Sequence, residues 1–146
     1  MARTKKSSKF IINSNNNFSK NAENFLAPIL LLCSRVWMAN IFFDSGRNKL
    51  SNMEGTIFLF EYQYIIPIIP ASISAYLITL CEIAFSVLLF CGLLTRLSAF
   101  ILIIITIIIQ SLIYNNIEHF YWIFMLSTLM IYGSGKISID HMFKIK

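Results

Sequence analysis

Charge is scarce in this chain. Only 13% of its 146 residues are Asp, Glu, Lys or Arg, against about 25% in an ordinary soluble domain. That leaves too little polar surface to cover a chain that is 57% hydrophobic, so a water-soluble globule is excluded. The three cysteines, Cys33, Cys81 and Cys91, form no C-x-x-C pair, which excludes a dithiol redox motif or zinc ribbon. Placed on helices, Cys33 and Cys81 differ in depth by roughly 7 Å at about 1.5 Å per residue, which disfavours a disulfide. All three read as small buried filler. The two histidines, His119 and His141, fall on opposite sides of the expected membrane and make no metal site. No Gly-rich phosphate loop, C-x-x-C-H haem attachment or Ser/His/Asp arrangement is present, so no catalytic residue is assigned.

What the chain does have is apolar sequence in blocks. Runs at 25–43, 71–94 and 97–114 approach or exceed the roughly 18 residues of a bilayer-crossing helix, and a shorter run covers 120–132. The expected fold is all-α, a polytopic four-helix membrane bundle with spans at about 25–43, 71–94, 97–114 and 117–132. The formal charge of +5 suggests nucleic acid until the basic residues are located. Arg3, Lys5, Lys6, Lys9 and Lys20 precede the first span, Arg96 sits between the second and third, and Lys136, Lys144 and Lys146 follow the fourth. Positive-inside bias places these segments, and both termini, in the cytoplasm, and no nucleic-acid partner is expected. Residues 1–24 read as a disordered basic leader and 141–146 as a cytoplasmic tail. Because the first apolar run continues past Cys33 to Phe43, it reads as a retained span rather than a cleaved signal.

Between the first two spans, Gly55 to Tyr64 carries Ile57, Phe58, Leu59, Phe60, Tyr62 and Tyr64 around Glu61, the pattern of a short interfacial helix. Pro67 and Pro70 then hold the chain extended into the second span. The remaining links are tight, so consecutive helices are antiparallel neighbours. The fourth run reaches only about 20 Å against a core of about 30 Å, so it needs extension to Ile117 or snorkelling by Glu118, His119 and Lys136. Tyr114, Phe120, Tyr121 and Trp122 suit an outer aromatic belt there.

Two charges lie inside expected spans, where each costs on the order of 3 kcal/mol at the bilayer centre. Counted from the cytoplasmic ends of their apolar runs, Arg35 and Glu82 lie about 15 and 18 Å deep on adjacent antiparallel helices. An Arg35–Glu82 ion pair follows as the candidate ligand-binding or helix-pinning feature. It can merely join two helices, or it can present Glu82 to a proton or a carbonyl ligand. Lys49, Arg96 and Gln110 are secondary candidates. Gln110 is placed to hydrogen-bond between helices, and Lys49 joins Asp44 and Arg47 in an outer polar rim. His119, at the outer mouth, reads as solvated.

Arg35 followed by Gly46, Lys49 and Leu50 is similar to the arginine helix and G-x-x-K-L ending of the DoxX family of small four-helix membrane proteins. The likeness continues through an aromatic segment closing in PIIP at Pro67 to Pro70, A-Y-L-x-T-x-x-E at Ala75 to Glu82 and L-L-F-C-G-L-L-T-R at Leu88 to Arg96. It ends with Y-G-S-G-K-I-S-I-D at Tyr132 to Asp140, and Ile69 and Ser134 stand where the family often has leucine and proline. The resemblance covers roughly 29–143. It implies a bacterial plasma-membrane location and, in some members, a subunit of a quinone-linked or thiol-stress oxidoreductase complex; fold transfers better than function. The expected function is a membrane subunit of a redox complex, with a quinone near Arg35 and Glu82 and a soluble partner supplying electrons. The rivals are a non-enzymatic scaffold that anchors a partner through residues 44–70 or the basic ends, and a small-solute or proton carrier working as a homo-oligomer.

Overall fold

Backbone hydrogen bonds in lipid have no water to fall back on, and the described residues satisfy them almost entirely within helices. The computed structural model describes residues 25–63, 69–112, 117–135 and 138–142, with the side chains of 111, 112 and 141 left aside. The expected leader at 1–24, Pro67, the link around Tyr114 and the basic residues Lys136, Lys144 and Lys146 lie outside the described residues. Among the described residues six helices follow in order: α1 (Ala27–Ser51), α2 (Met53–Tyr62), α3 (Ala71–Cys91), α4 (Thr95–Leu112), α5 (Ile117–Tyr132) and the single turn α6 (Ile139–Met142). The described residues form no strand.

α1 and α3 are long and apolar enough to cross a membrane. At 1.5 Å per residue they measure about 37 and 32 Å against a hydrocarbon core of about 30 Å. Surface and interior are inverted relative to a soluble protein. Leu30, Trp37, Leu80, Phe120 and Phe124 face outward, whereas Arg35, Ser74, Thr79, Glu82, Ser86, Ser98 and Thr106 are buried. An apolar exterior around polar contacts is the arrangement that lipid favours.

α1 does not stop where its apolar run stops. Pro28 starts it with a φ already suited to a first turn, and the helix continues through Asp44, Arg47 and Lys49 to Ser51, because a polar helical segment keeps its hydrogen bonds as well as an apolar one. Asn52 then caps α2 by accepting the Gly55 N–H at 3.1 Å. α2 occupies the place expected for the short helix between the first two spans, starting at Met53 and burying Thr56 and Phe60.

α1 packs most extensively on α3, α4 pairs with α5, α3 meets α4, and α1 touches α5. α1 and α3 run antiparallel, with Gly46 against Ile83 and Glu82 at one level and Arg35 beside Gly92 at another. The missing side chain at Gly46 permits the close approach: a Cβ there would sit 2.7 Å from Ile83 Cγ1. The buried core that results includes Met38, Ala39, Phe42, Phe60, Ala75, Ile78, Leu89, Leu102, Leu126 and Leu129.

α3 ends in a Schellman motif. Gly92 has φ +70°, the Leu93 N–H reaches the Leu88 carbonyl at 2.9 Å, and the Gly92 N–H reaches Leu89 at 3.1 Å. The next helix starts almost at once, and the carboxylate of Asp140 caps it, accepting from Leu94 N at 2.7 Å and Thr95 N at 2.9 Å. The Asp140 N–H in turn donates to the Gly92 carbonyl at 3.0 Å. Two segments far apart in sequence, Leu88 to Arg96 and Tyr132 to Asp140, are thereby fastened at one end of the molecule. Asp140→Ala removes the cap and is expected to cost about 1 kcal/mol in a detergent unfolding titration; an unchanged midpoint would show that the cap contributes nothing.

Candidate functional site

Glu82 is the most deeply buried ionisable group among the described residues, 1% exposed near the middle of α3. Its partner is Lys49, whose Nζ lies 2.5 Å from Oε1 and 2.6 Å from Oε2 and 3.0 Å from the Ser45 hydroxyl. Three elements of sequence make this pair. Gly46 lets α1 approach α3, the continued helix carries Lys49 one turn beyond that contact, and Ser45 sits one turn before Lys49 on the same face.

The expected Arg35–Glu82 pair is therefore replaced by Lys49–Glu82. Arg35 lies on the level of Gly92, ten residues along α3 from Glu82 and about 15 Å away along the helix. Its Nη1 donates to the Ser134 carbonyl at 3.2 Å, Asp140 supplies the favourable charge, and Nε is buried without a protein partner. The physical reason is the length of α1. Measuring depth from the ends of apolar runs assumed a helix over 25–43, whereas the helix over 27–51 slides the register against α3. Arg96 belongs to the same end, exposed beside Gly133, and takes no part in the Glu82 site.

His119 is only 7% exposed, not solvated as expected. Its Nδ1 lies 2.6 Å from Gln110 Oε1, so Gln110 bonds from α4 to α5, and its ring packs on Trp122 with centroids 4.8 Å apart. Trp122 in turn meets Phe42 of α1 edge to face at 5.9 Å. Sequence reasoning missed His119 because a histidine at a helix start is ordinarily wet. The available signal was its spacing of three residues from Trp122, which puts both on one helical face.

Together these side chains line a cavity of about 180 Å³ formed by Phe42, Ser45, Lys49, Glu82, Thr106, Ile109, His119 and Trp122. It combines one buried ion pair, one histidine, two hydroxyls and two aromatic walls, contributed by α1, α3, α4 and α5. Such a chamber can hold a small polar or aromatic molecule and hydrogen-bond it at more than one point. No group of three potential metal ligands occurs among the described residues. Cys33, Cys81 and Cys91 are free, and Cys33 and Cys91 face outward, which corrects their expected role as buried filler.

No curated protein and no solved structure matches the chain. The family model for DoxX matches residues 30–115, a stretch that contains Arg35, Gly46, Lys49, Glu82 and Gln110 but ends before His119 and Asp140. With more than half of its length matched, and with an apolar helical exterior around polar contacts, this chain belongs to the DoxX family of membrane proteins.

Proposed function

We propose that this protein is the membrane subunit of a quinone-linked redox complex and that its quinone head group is held in the cavity at Lys49, Glu82 and His119. In this reading it crosses the bacterial plasma membrane four times as a helical bundle, with both termini cytoplasmic. A soluble partner exchanges electrons with the bound quinone.

The observation that carries the reading is the cavity itself. A cavity of about 150 Å³ suffices for benzene, so about 180 Å³ takes one six-membered ring with small substituents but excludes a long isoprenoid tail, which stays in lipid. Phe42 and Trp122 offer aromatic walls to such a ring, and the buried Lys49–Glu82 pair and His119 supply hydrogen-bonding groups for its oxygens. When bound, the quinone provides two-electron chemistry that no side chain of this protein supplies. The chain's own residues position the ring, exclude bulk water and hold protons near its oxygens.

The test is the quinone content, per mole, of the full chain purified in mild detergent, beside Glu82→Gln and Arg35→Met controls whose helicity is verified by circular dichroism. Near-stoichiometric quinone, counted as oxidised plus reduced forms, in the native chain and in Arg35→Met, lost in Glu82→Gln, is the expected result. Absence of quinone from all three overturns the reading and favours a scaffold that anchors its partner through the segment between the first two spans.

A further inference from the structure

The polar groups of the cavity are unequally supplied with protons. Lys49 has three N–H donors, and all three are engaged, two by the Glu82 oxygens and one by Ser45. With its oxygen accepting from Lys49, the Ser45 hydroxyl turns its own proton to Glu82. Thr106 donates to the Leu102 carbonyl at 2.7 Å. With Gln110 presenting Oε1, which only accepts, His119 Nδ1 carries the proton of the contact and the neutral ring keeps Nε2 as a lone pair. Among the lining side chains described, the indole N–H of Trp122 is the one donor left uncommitted. What remains among the lining side chains is mostly acceptor: unused lone pairs on the Glu82 carboxylate, Nε2 of His119 and the oxygen of Thr106.

We infer that the cavity selects the reduced, dihydroxy form of its ring ligand, a quinol, over the quinone. This rests on the reading of the cavity as a quinone head-group site. A quinol brings two O–H donors to a chamber whose free groups accept. A quinone brings two oxygens that only accept; the Trp122 N–H can serve one of them, and the other would face a lone pair and lose the hydrogen bond it made in water. Gln110 acts here as a positioning residue. It touches no ligand, but it fixes the tautomer through which His119 does.

Discrimination of this kind is large wherever a buried polar group of the site is left unpaired by the wrong ligand. The probes are trimethylhydroquinone and trimethylbenzoquinone, titrated separately under anaerobic conditions by calorimetry into the full chain in lipid nanodiscs. The hydroquinone is expected to bind at least tenfold more tightly. Gln110→Leu releases the histidine tautomer and is expected to shrink that ratio to threefold or less, whereas Gln110→Glu keeps an acceptor opposite Nδ1 and retains it. Equal binding of the two forms by the native chain, or tighter binding of the quinone, overturns the inference while leaving the quinone site standing. Binding of neither form overturns the quinone site and the inference with it. A ratio unmoved by Gln110→Leu overturns the role given to Gln110.

Discussion

Lys49→Met is expected to destabilise the folded protein by about 3–5 kcal/mol, because it leaves the Glu82 carboxylate, 1% exposed, without its ammonium partner. The pair replacement Lys49→Met/Glu82→Leu is expected to recover most of that loss. Two well-packed apolar side chains of similar volume substitute for a buried ion pair at little or no net cost, since desolvation offsets most of the attraction between the charges. Glu82 is 1% and Lys49 18% exposed, so the asymmetry follows: the carboxylate depends on the ammonium more than the reverse. A double-mutant cycle in a detergent unfolding titration measures the coupling. Lys49 and Glu82 should couple by about 3 kcal/mol or more, whereas Arg35 and Glu82 should be additive to within about 0.5 kcal/mol. If Arg35 rather than Lys49 proved to be coupled to Glu82, the register of α1 on α3 described above would be wrong.

That register is where reading the sequence reached its limit. The apolar runs located the helices well wherever a run and a helix end for the same reason. α3 begins just after Pro70, and α5 occupies 117–132, as the run and its flanks suggested. The first helix ends for a different reason. Apolarity stops at Phe43, but nothing between Asp44 and Ser51 breaks a helix: Gly46 is tolerated because its partner helix lies against it, and the next cap is Asn52. Hydropathy therefore reported where lipid contact changes, not where the backbone turns. Hydropathy alone puts Lys49 in an outer rim, whereas it is Glu82's partner, and it aligns Arg35 with a carboxylate that lies ten residues away along α3. Glu82 itself was legible, because an acid in the middle of an apolar run has to be accommodated whatever its partner. His119 was legible only in its spacing from Trp122 on one helical face; its burial also comes from Gln110 on another helix and from the contact between Trp122 and Phe42, which no single-segment pattern carries.

The end of the molecule around Arg35 makes a different demand on sequence, and Gly92 tests it. A φ of +70° costs a residue with a Cβ about 1–2 kcal/mol by itself. Space adds to that cost, because a Cβ on Gly92 would run into the Arg35 guanidinium and lie 2.9 Å from Ser138 Cβ. The guanidinium cannot retreat cheaply, since Arg35 is 4% exposed and its Nη1 is already bonded to the Ser134 carbonyl. Gly92→Ala is therefore expected to destabilise by about 3 kcal/mol or more, the sum of backbone strain and a displaced buried charge. Truncating the arginine in the same chain separates the two contributions. Measured against Arg35→Ala alone, Gly92→Ala should cost less: the backbone part of about 1–2 kcal/mol together with the remaining crowding against Ser138 Cβ. A full cost in both backgrounds would mean that the turn and the Ser138 contact set the requirement for glycine, and that the proximity of Arg35 to Gly92 carries no energy.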